Sequence, residues 1–233
     1  MGFAFVALSH LACGSASLPP VAAQRDSVAA VIRNPPLHLS PLKEGTWTYE
    51  ILAGKDQGQT VTQVVSIAPA DASAPWRRAF NANHVIAHLR LEPDGSIVMP
   101  ANEILDHNIF NTFDPPQIVL PAPKALGVPL SVTSRVVSTL RSRPQMQVDH
   151  GTAELTLTPI GTETLATPAG TFACVVVELR LHLKFGLGEV LSSATLHYAD
   201  GVGLVAESST EKTTSFFLTS TTTRKIVLKS YPH

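Results

Sequence analysis

The chain has 233 residues, of which 44% are hydrophobic and only 15% are charged, and its formal net charge is -1. A low charged fraction with many Thr, Ser and Val residues is typical of a β-rich fold rather than a helical or disordered one. Basic residues neither outnumber acidic residues nor cluster, which argues against nucleic acid as a partner.

Residues 1–23 have the pattern of a signal segment. They contain no charged side chain, and an apolar run at 3–12 is followed by small residues just before Gln24. The basic residues that usually precede such a run are absent. We expect this segment to be removed and the mature protein to be periplasmic or secreted. No later segment reaches the roughly 18 apolar residues of a membrane-spanning helix.

The two cysteines differ in their expected roles. Cys13 lies inside the leader and could carry a lipid anchor, but His10 stands where a lipoprotein signal has an apolar residue, so this anchoring is weakly supported. After leader removal Cys174 is the remaining thiol, and no intramolecular disulfide is expected. Cys174 opens a strand pattern, which favours a small half-buried side chain over a nucleophile.

After the leader we predict an N-terminal arm at 24–40 and a single β-rich domain at 41–233. Asn34-Pro35-Pro36 excludes a helix in the arm. The domain contains runs rich in β-branched and aromatic residues, separated by turn residues. The predicted strands lie at 46–51, 59–67, 78–91, 96–99, 130–140, 152–158, 175–185, 213–218 and 224–230.

The stretch 100–129 interrupts this rhythm, because it contains Pro115, Pro116, Pro121 and Pro123. We interpret it as a long Pro-rich crossover with one helical turn near 102–107. A connection of this length is either a functional lid or a crossover without a function of its own, and both alternatives stay open.

The clearest strand pattern lies at 175–185, where every odd position is apolar and the even positions from Glu178 onward are polar. This alternation predicts that Val177, Leu179, Leu181 and Leu183 are buried. A four-residue loop at 186–189 would pair the next strand so that Leu181 faces Ala194. The same register sets Glu178 against His197, a pair interpreted as structural rather than catalytic.

Three short motifs suggest a family. They are Gly-Thr-Trp-Thr-Tyr at 45–49, Thr-Pro-Ala-Gly-Thr-Phe at 167–172 and Tyr-Ala-Asp-Gly-Val-Gly-Leu-Val at 198–205. Together they resemble a group of bacterial exported envelope proteins known as a domain of unknown function. The resemblance implies a curved antiparallel sheet similar to the open barrels of lipoprotein carriers, and it implies no reaction. We therefore predict an all-β fold with a minor helix, built as a curved antiparallel sheet or open half-barrel.

The sequence contains no pattern that predicts a metal or cofactor site. His84 and His88 have the spacing of two ligands on a helix, but their surroundings predict a strand, on which they would lie roughly 13 Å apart. Asp106-His107 and Asp149-His150 are adjacent pairs, and neighbours on a strand face opposite ways. No nucleophile elbow or phosphate-binding loop is present in the sequence. We therefore assign no catalytic, metal or cofactor residue and no ligand-binding residue.

Three functions fit these observations. We favour a non-enzymatic exported envelope protein that binds an apolar ligand such as lipid, because a curved sheet with one apolar face needs something against that face. The first alternative is an envelope assembly or scaffold protein that offers sheet edges to a protein partner. The second is a hydrolase whose site is assembled from residues distant in sequence.

Overall fold

The computed structural model describes Leu39 and residues 42–68, 73–81, 84–122, 128–186, 188–216 and 218–232. The predicted leader, Cys13 and the predicted arm up to residue 38 lie outside these residues. Leu39, near the end of the predicted arm, is buried in the core beside Leu89. Within the described ranges, no helix has the length and apolar composition needed to cross a membrane.

Over the described residues the chain forms twelve strands and one 3-10 turn, Leu105–His107. The all-β prediction with a minor helix is therefore confirmed. The strands are β1 (Gly45–Ala53), β2 (Thr60–Ile67), β3 (Trp76–Phe80), β4 (Val85–Leu91), β5 (Ile97–Ile104), β6 (Ile109–Leu120), β7 (Leu130–Leu140), β8 (Arg143–Thr167), β9 (Gly170–Phe185), β10 (Gly188–Ala199), β11 (Gly203–Ser215) and β12 (Leu218–Ser230).

The strands form a closed barrel in which each strand pairs antiparallel with its neighbours in sequence. β1 pairs with β2 on one side and with β12 on the other, and this second pairing closes the sheet. The predicted curved antiparallel sheet is confirmed, and its curvature continues to closure instead of ending at a half-barrel. We call the end where β1 begins, at Gly45, the lower end, and the end where β1 finishes, at Ala53, the upper end.

The predicted crossover at 100–129 is wrong over the residues described. Pro100 lies in β5, and Pro115 and Pro116 lie within β6, where the Asp114–Pro115 peptide bond is cis. Pro115 and Pro116 are tolerated because pairing of β6 with β7 ends at Asp114, and the β5–β6 ladder is interrupted between Thr112 and Gln117. Pro100 lies at the same interruption, between the paired residues Met99 and Ala101. Of the helical turn predicted near 102–107, Leu105–His107 forms the 3-10 turn, whereas residues 102–104 belong to β5. Residues 123–127 lie outside the described part of the chain.

Two predicted strands are in fact divided by turns. The run at 78–91 is split between β3 and β4, and His84 in the connecting turn has a φ of 48°. The run at 213–218 spans the turn between β11 and β12, and the Thr-rich residues after it continue β12. Two phenylalanines stand in the sequence between β11 and β12, so composition does not mark that break, whereas Asn81 and Asn83 between β3 and β4 are residue types typical of turns whose signal was missed.

The β9–β10 hairpin has a different register from the predicted one. Phe185 pairs with Gly188, which leaves a two-residue loop instead of four residues. Glu178 therefore faces Thr195, and the predicted Glu178–His197 pair is wrong. A slip of two residues keeps every side chain on its predicted face, so alternation could not reveal it.

The lower interior of the barrel is filled by apolar side chains from many strands. Two polar atoms among them are satisfied by the backbone, because Trp47 Nε1 donates to the Val202 carbonyl at 2.8 Å and the Tyr49 hydroxyl to the Leu204 carbonyl at 3.2 Å. The buried residues of this lower core are Trp47, Tyr49, Ile51, Val61, Val65, Cys174, Ala199, Val202, Val205, Ile226 and Leu228.

Candidate functional site

The upper interior is lined by rows of paired residues that cross β8 to β12. Paired residues in an antiparallel sheet share a face, so each row lies on one side of the wall. Both rows begin with leucines on β8 and β9 and end with polar side chains on β11 and β12. The first row is Leu157, Leu179, Ala194, Ser209 and Arg224, and the next is Leu155, Leu181, Ser192, Glu211 and Thr222.

The leucine side of these rows forms what we call the apolar wall, made of Leu179, Leu181, Leu183, Phe185 and Val190. These side chains point inward but are only half-buried, although several pack against Phe113. Lower on the same face of β9, Val175 and Val177 are each only 2% exposed. Solvent therefore reaches part of the inward face of the upper barrel, although Leu155 and Leu157 in the same rows are buried and Leu179 and Leu181 pack against that core. Of the four residues predicted to be buried, only Val177 is fully buried.

The polar side of the rows meets an inner arginine cluster, made of Arg78, Phe80, Glu207 and Arg224. Arg224 Nη2 donates to Glu207 Oε1 at 2.8 Å, and the Ser209 hydroxyl donates to the same oxygen at 2.7 Å. The Arg224 guanidinium lies 5.0 Å from the centre of the Phe80 ring. The Glu207 and Arg224 side chains are 14% and 26% exposed, so the pair is largely shielded from solvent.

Arg78 lies two residues below Phe80 on β3, where it pairs with Val65 of the lower core, and it adds a second positive charge at the base of this cluster. It is half-buried and lies on the same face of β3 as Trp76 and Phe80. Burial raises the pKa of Tyr49 and of Tyr198, while the charge of Arg78 acts against both shifts and that of Glu207 adds to them. Arg78 and Glu207 therefore lie close enough to both tyrosines to influence them electrostatically.

A second polar cluster lies on the outer side of the wall, facing away from the buried Ala87 and Leu89. His88 Nε2 lies 2.9 Å from Glu103 Oε1, and Arg141 Nε donates to Glu103 Oε2 at 2.6 Å. Burial alone would raise the pKa of Glu103, but these two hydrogen bonds and the neighbouring charges outweigh it and lower the pKa. A carboxylate-oriented His resembles a general base.

Catalysis at this outer cluster would also need a nucleophile. Among the described side chains, no Ser, Thr or Cys forms a hydrogen bond with His88; its ring instead packs edge-on against Phe110, with centroids 5.6 Å apart. The cluster therefore has the composition of a satisfied structural ion network.

The other histidines singled out in the sequence are dispersed. His84 pairs with Asp106 at 2.6 Å on the exposed surface, so it does not share a site with His88. His197 pairs with Glu163 at 3.4 Å, and His182 pairs with Glu189 at 3.1 Å. Within the described ranges, no three His, Cys, Asp or Glu side chains are arranged to hold a metal ion.

Cys174 and the polar side chains of β9 can also be placed. Cys174 is buried and free, and burial raises the pKa of its thiol to about 12, which agrees with a packing role. On the outer face of β9, Arg180 and His182 border a shallow groove of about 400 Å³. Exposed Lys212 lies on the same groove, so its rim is formed by long solvated side chains rather than a built pocket.

The inner arginine cluster was missed by sequence analysis, although a signal for it exists. Arg224 alternates with the apolar residues Ile226 and Leu228, and Glu207 precedes Ser209 at the same spacing. A charged residue that continues an apolar strand face predicts a charge inside the barrel. The closing strand was predicted, but its face was not assigned.

The fold and its lining define an antiparallel β-barrel whose interior is apolar on one side and charged on the other. Over residues 138–222, from the end of β7 to β12, the sequence matches the DUF3108-like family. The resemblance to a domain of unknown function is thereby confirmed over the strands that carry the inward rows. No curated protein matches the sequence.

Solved structures with a related arrangement are distant in sequence. A candidate lipoprotein from Parabacteroides distasonis is 15% identical, with 84% of this chain and 99% of that chain covered and a TM-score of 0.41. A candidate exported protein with a YmcC-like fold from Bacteroides fragilis is 12% identical, with 84% and 100% covered and a TM-score of 0.43. The hypothetical lipoprotein YmcC from Escherichia coli K12 is 9% identical, with 83% and 91% covered and a TM-score of 0.36.

Proposed function

We propose that this chain is a non-enzymatic exported protein of the bacterial envelope that binds an apolar ligand, such as lipid, in the upper interior of its barrel. The observation that carries the proposal is the apolar wall, whose inward side chains are reached by solvent. Complete burial of one Leu side chain is worth about 1.5–3 kcal/mol. A guest that covers the wall would recover part of that free energy for several residues at once.

The composition of the interior supports a binding site. Ligand sites are mostly apolar with a few polar groups that fix orientation, and here the leucines of β9 face the polar ends of the same rows. The described polar clusters contain ion pairs and hydrogen bonds rather than an activated nucleophile, which supports binding over catalysis.

The proposed location rests on the pattern of residues 1–23, an apolar run followed by small residues. A periplasmic or secreted location also agrees with the descriptions of the solved structures compared above. Attachment through Cys13 is a separate proposal, and His10 stands where a lipoprotein signal has an apolar residue.

Native mass spectrometry of gently purified protein tests the binding proposal. We expect a lipid-like species to copurify with the wild type and to be lost from Leu183→Glu, which places a charge on the apolar wall. Lys184→Glu is the matched control, because the next residue on the strand faces outward and is exposed. Absence of a guest from the wild type, or equal retention by both variants, would contradict the proposal.

A scaffold function is the second candidate, and the edge of β12 supports it. Pairing of β1 with β12 ends at Ala53 and Lys225, and β12 continues above this point to Leu218. Leu218 at the tip is 79% exposed. The edge of a strand that extends past its neighbour can accept a strand from another protein.

Lysine substitution on the edge discriminates between the two candidates, because lysines block strand addition. A specific envelope partner that is lost with Thr221→Lys but retained by Leu183→Glu would favour the scaffold function. Loss with Leu183→Glu alone would favour the binding protein.

A further inference from the structure

We infer that the guest of the upper interior is an anionic amphiphile, whose head group is recognised by Arg78 and Arg224 and whose apolar chain lies on the apolar wall. This inference rests on the proposed function, because it specifies the ligand of the same site.

The first observation is the charge balance of the inner arginine cluster. Two guanidinium groups face the interior, and Glu207 is the one carboxylate that contacts either of them among the described residues. No described carboxylate lies within ion-pair distance of Arg78, although that side chain is half-buried. The other inward carboxylate of the rows, Glu211, is exposed and lies one row above Arg224. The half-buried Arg78 charge therefore has no carboxylate in contact with it among the described residues, and an anion gains more there than it would at the surface.

The second observation is the unused donor of Arg224. Its Nη2 donates to Glu207, but its Nε is buried and has no hydrogen-bond partner among the described residues. A buried donor without a partner is costly, so a ligand oxygen would be stabilising there. The guanidinium rests against Phe80 on one face, and planar guanidinium groups bind carboxylate and phosphate oxygens in pairs.

The third observation is the order of residues along one row. Leu179, Ala194, Ser209 and Arg224 are paired in succession across four strands. With strands about 4.8 Å apart, the row from Leu179 to Arg224 spans about 14 Å of wall. Polarity changes once along this span, from leucine to guanidinium, which matches a molecule that is apolar at one end and anionic at the other.

Carboxylate and phosphate head groups share the chemistry that Arg recognises, so the test compares both. Delipidated full-length protein is titrated by calorimetry with dodecanoate, dodecyl phosphate and dodecanol, which have the same chain and different heads. We expect both anions to bind at least about tenfold more tightly than dodecanol, since hydrogen bonds to charged groups are the stronger class. The ratio between the two anions then identifies the preferred head group.

Variants distinguish lost head-group recognition from misfolding, because a misfolded variant would lose all three ligands together. Arg78→Gln should weaken the two anions about tenfold and leave dodecanol unchanged, while Arg78→Lys should restore most of the difference. Glu207→Gln should act in the opposite direction and tighten the anions, because it removes the carboxylate that competes for Arg224. Leu183→Glu should weaken all three ligands.

The outcomes separate this inference from the proposed function. If the three ligands bind with equal affinity and Arg78→Gln changes none of the affinities, the inference of an anionic head group is overturned. The proposed apolar binding site would still stand. No binding of any ligand would overturn both.

Discussion

The lower and upper halves of the barrel interior are built from the same strands but differ in how they are closed. In the lower half, side chains such as Leu228 and Val205 are completely buried. In the upper half, Leu181 and Leu183 lie on the face of β9 that carries Val175 and Val177, and they remain only partly buried. Alternation of polar and apolar residues therefore assigns a side chain to the interior without deciding whether that interior is filled.

The difference arises from unequal strand lengths. β1 to β4 contain 9, 8, 5 and 7 residues, whereas β9 to β12 contain 16, 12, 13 and 13. β12 runs on past the last residue that β1 pairs with it, so the long strands extend beyond the short ones. A side chain on the overhanging part has an inward direction but fewer residues opposite it, and it stays accessible to solvent.

The largest expected effect is the contrast between two leucine truncations. Leu228→Ala creates a cavity in the lower core and should destabilise the protein by about 2–5 kcal/mol. Leu183→Ala removes a half-buried side chain and should cost about 1 kcal/mol. Urea unfolding measures both free energies, and equal losses would mean that the two halves are packed alike.

The border between the halves is tested by the Glu207–Arg224 pair. Glu207→Gln leaves the Arg224 charge without its carboxylate and should destabilise by about 1–3 kcal/mol, since the pair is largely but not fully buried. Glu211→Gln, four residues further up β11 and exposed, should change the unfolding free energy by less than about 0.5 kcal/mol. A larger loss in Glu211→Gln would place the border higher in the barrel.

The lower core should also affect how the free energy of unfolding changes at alkaline pH. Burial raises the pKa of Tyr49 above its ordinary value of about 10, so the folded state holds this proton more tightly than the unfolded state. The resulting stability is complete below about pH 10 and declines as the pH rises further. Tyr49→Phe should cost about 1 kcal/mol at pH 7 through its lost hydrogen bond. Above pH 10 the stability of the Tyr49→Phe variant should decline less steeply than that of the wild type, as measured by urea unfolding.

Thiol labelling compares solvent access in the lower and upper halves and needs no large change in stability. Cys174 lies in the lower core, and its raised pKa of about 12 leaves little thiolate at pH 8. It should react with a thiol reagent only after unfolding. In a Cys13→Ser background, a cysteine introduced by Leu183→Cys should react in the native protein. Native labelling of Cys174 would show that solvent reaches the lower core as well.

Sequence analysis predicted the class of fold because alternation and turn residues are local signals. The strand at 130–140 coincides with β7, and the set Val177, Leu179, Leu181 and Leu183 was assigned to the correct face. The register of the hairpin was wrong because a two-residue slip preserves every face. Pro115 and Pro116 suggested a crossover because the sequence cannot show that their strand lacks a partner at that point.

Most of the candidate site could not be predicted from the sequence. Arg78 and Arg224 are far apart in the chain, and only closure of β1 onto β12 brings Phe80 and the Arg224 guanidinium together. The apolar wall was recognised as a strand face, but its partial exposure depends on the lengths of strands that lie opposite it. Both features are properties of the assembled barrel rather than of any one segment.

The meander order of the barrel has a consequence for how the chain folds. Among the described strands, every pairing joins sequence neighbours except β1 with β12, which must meet across most of the chain. Short loops close quickly and long ones slowly, so we expect hairpins to form early and the β1–β12 seam to form last. Pulsed hydrogen exchange during refolding would then show amides such as Ile226 and Leu228 becoming protected after those of β9. Early protection at the seam would mean that the ends of the meander meet before its middle is built.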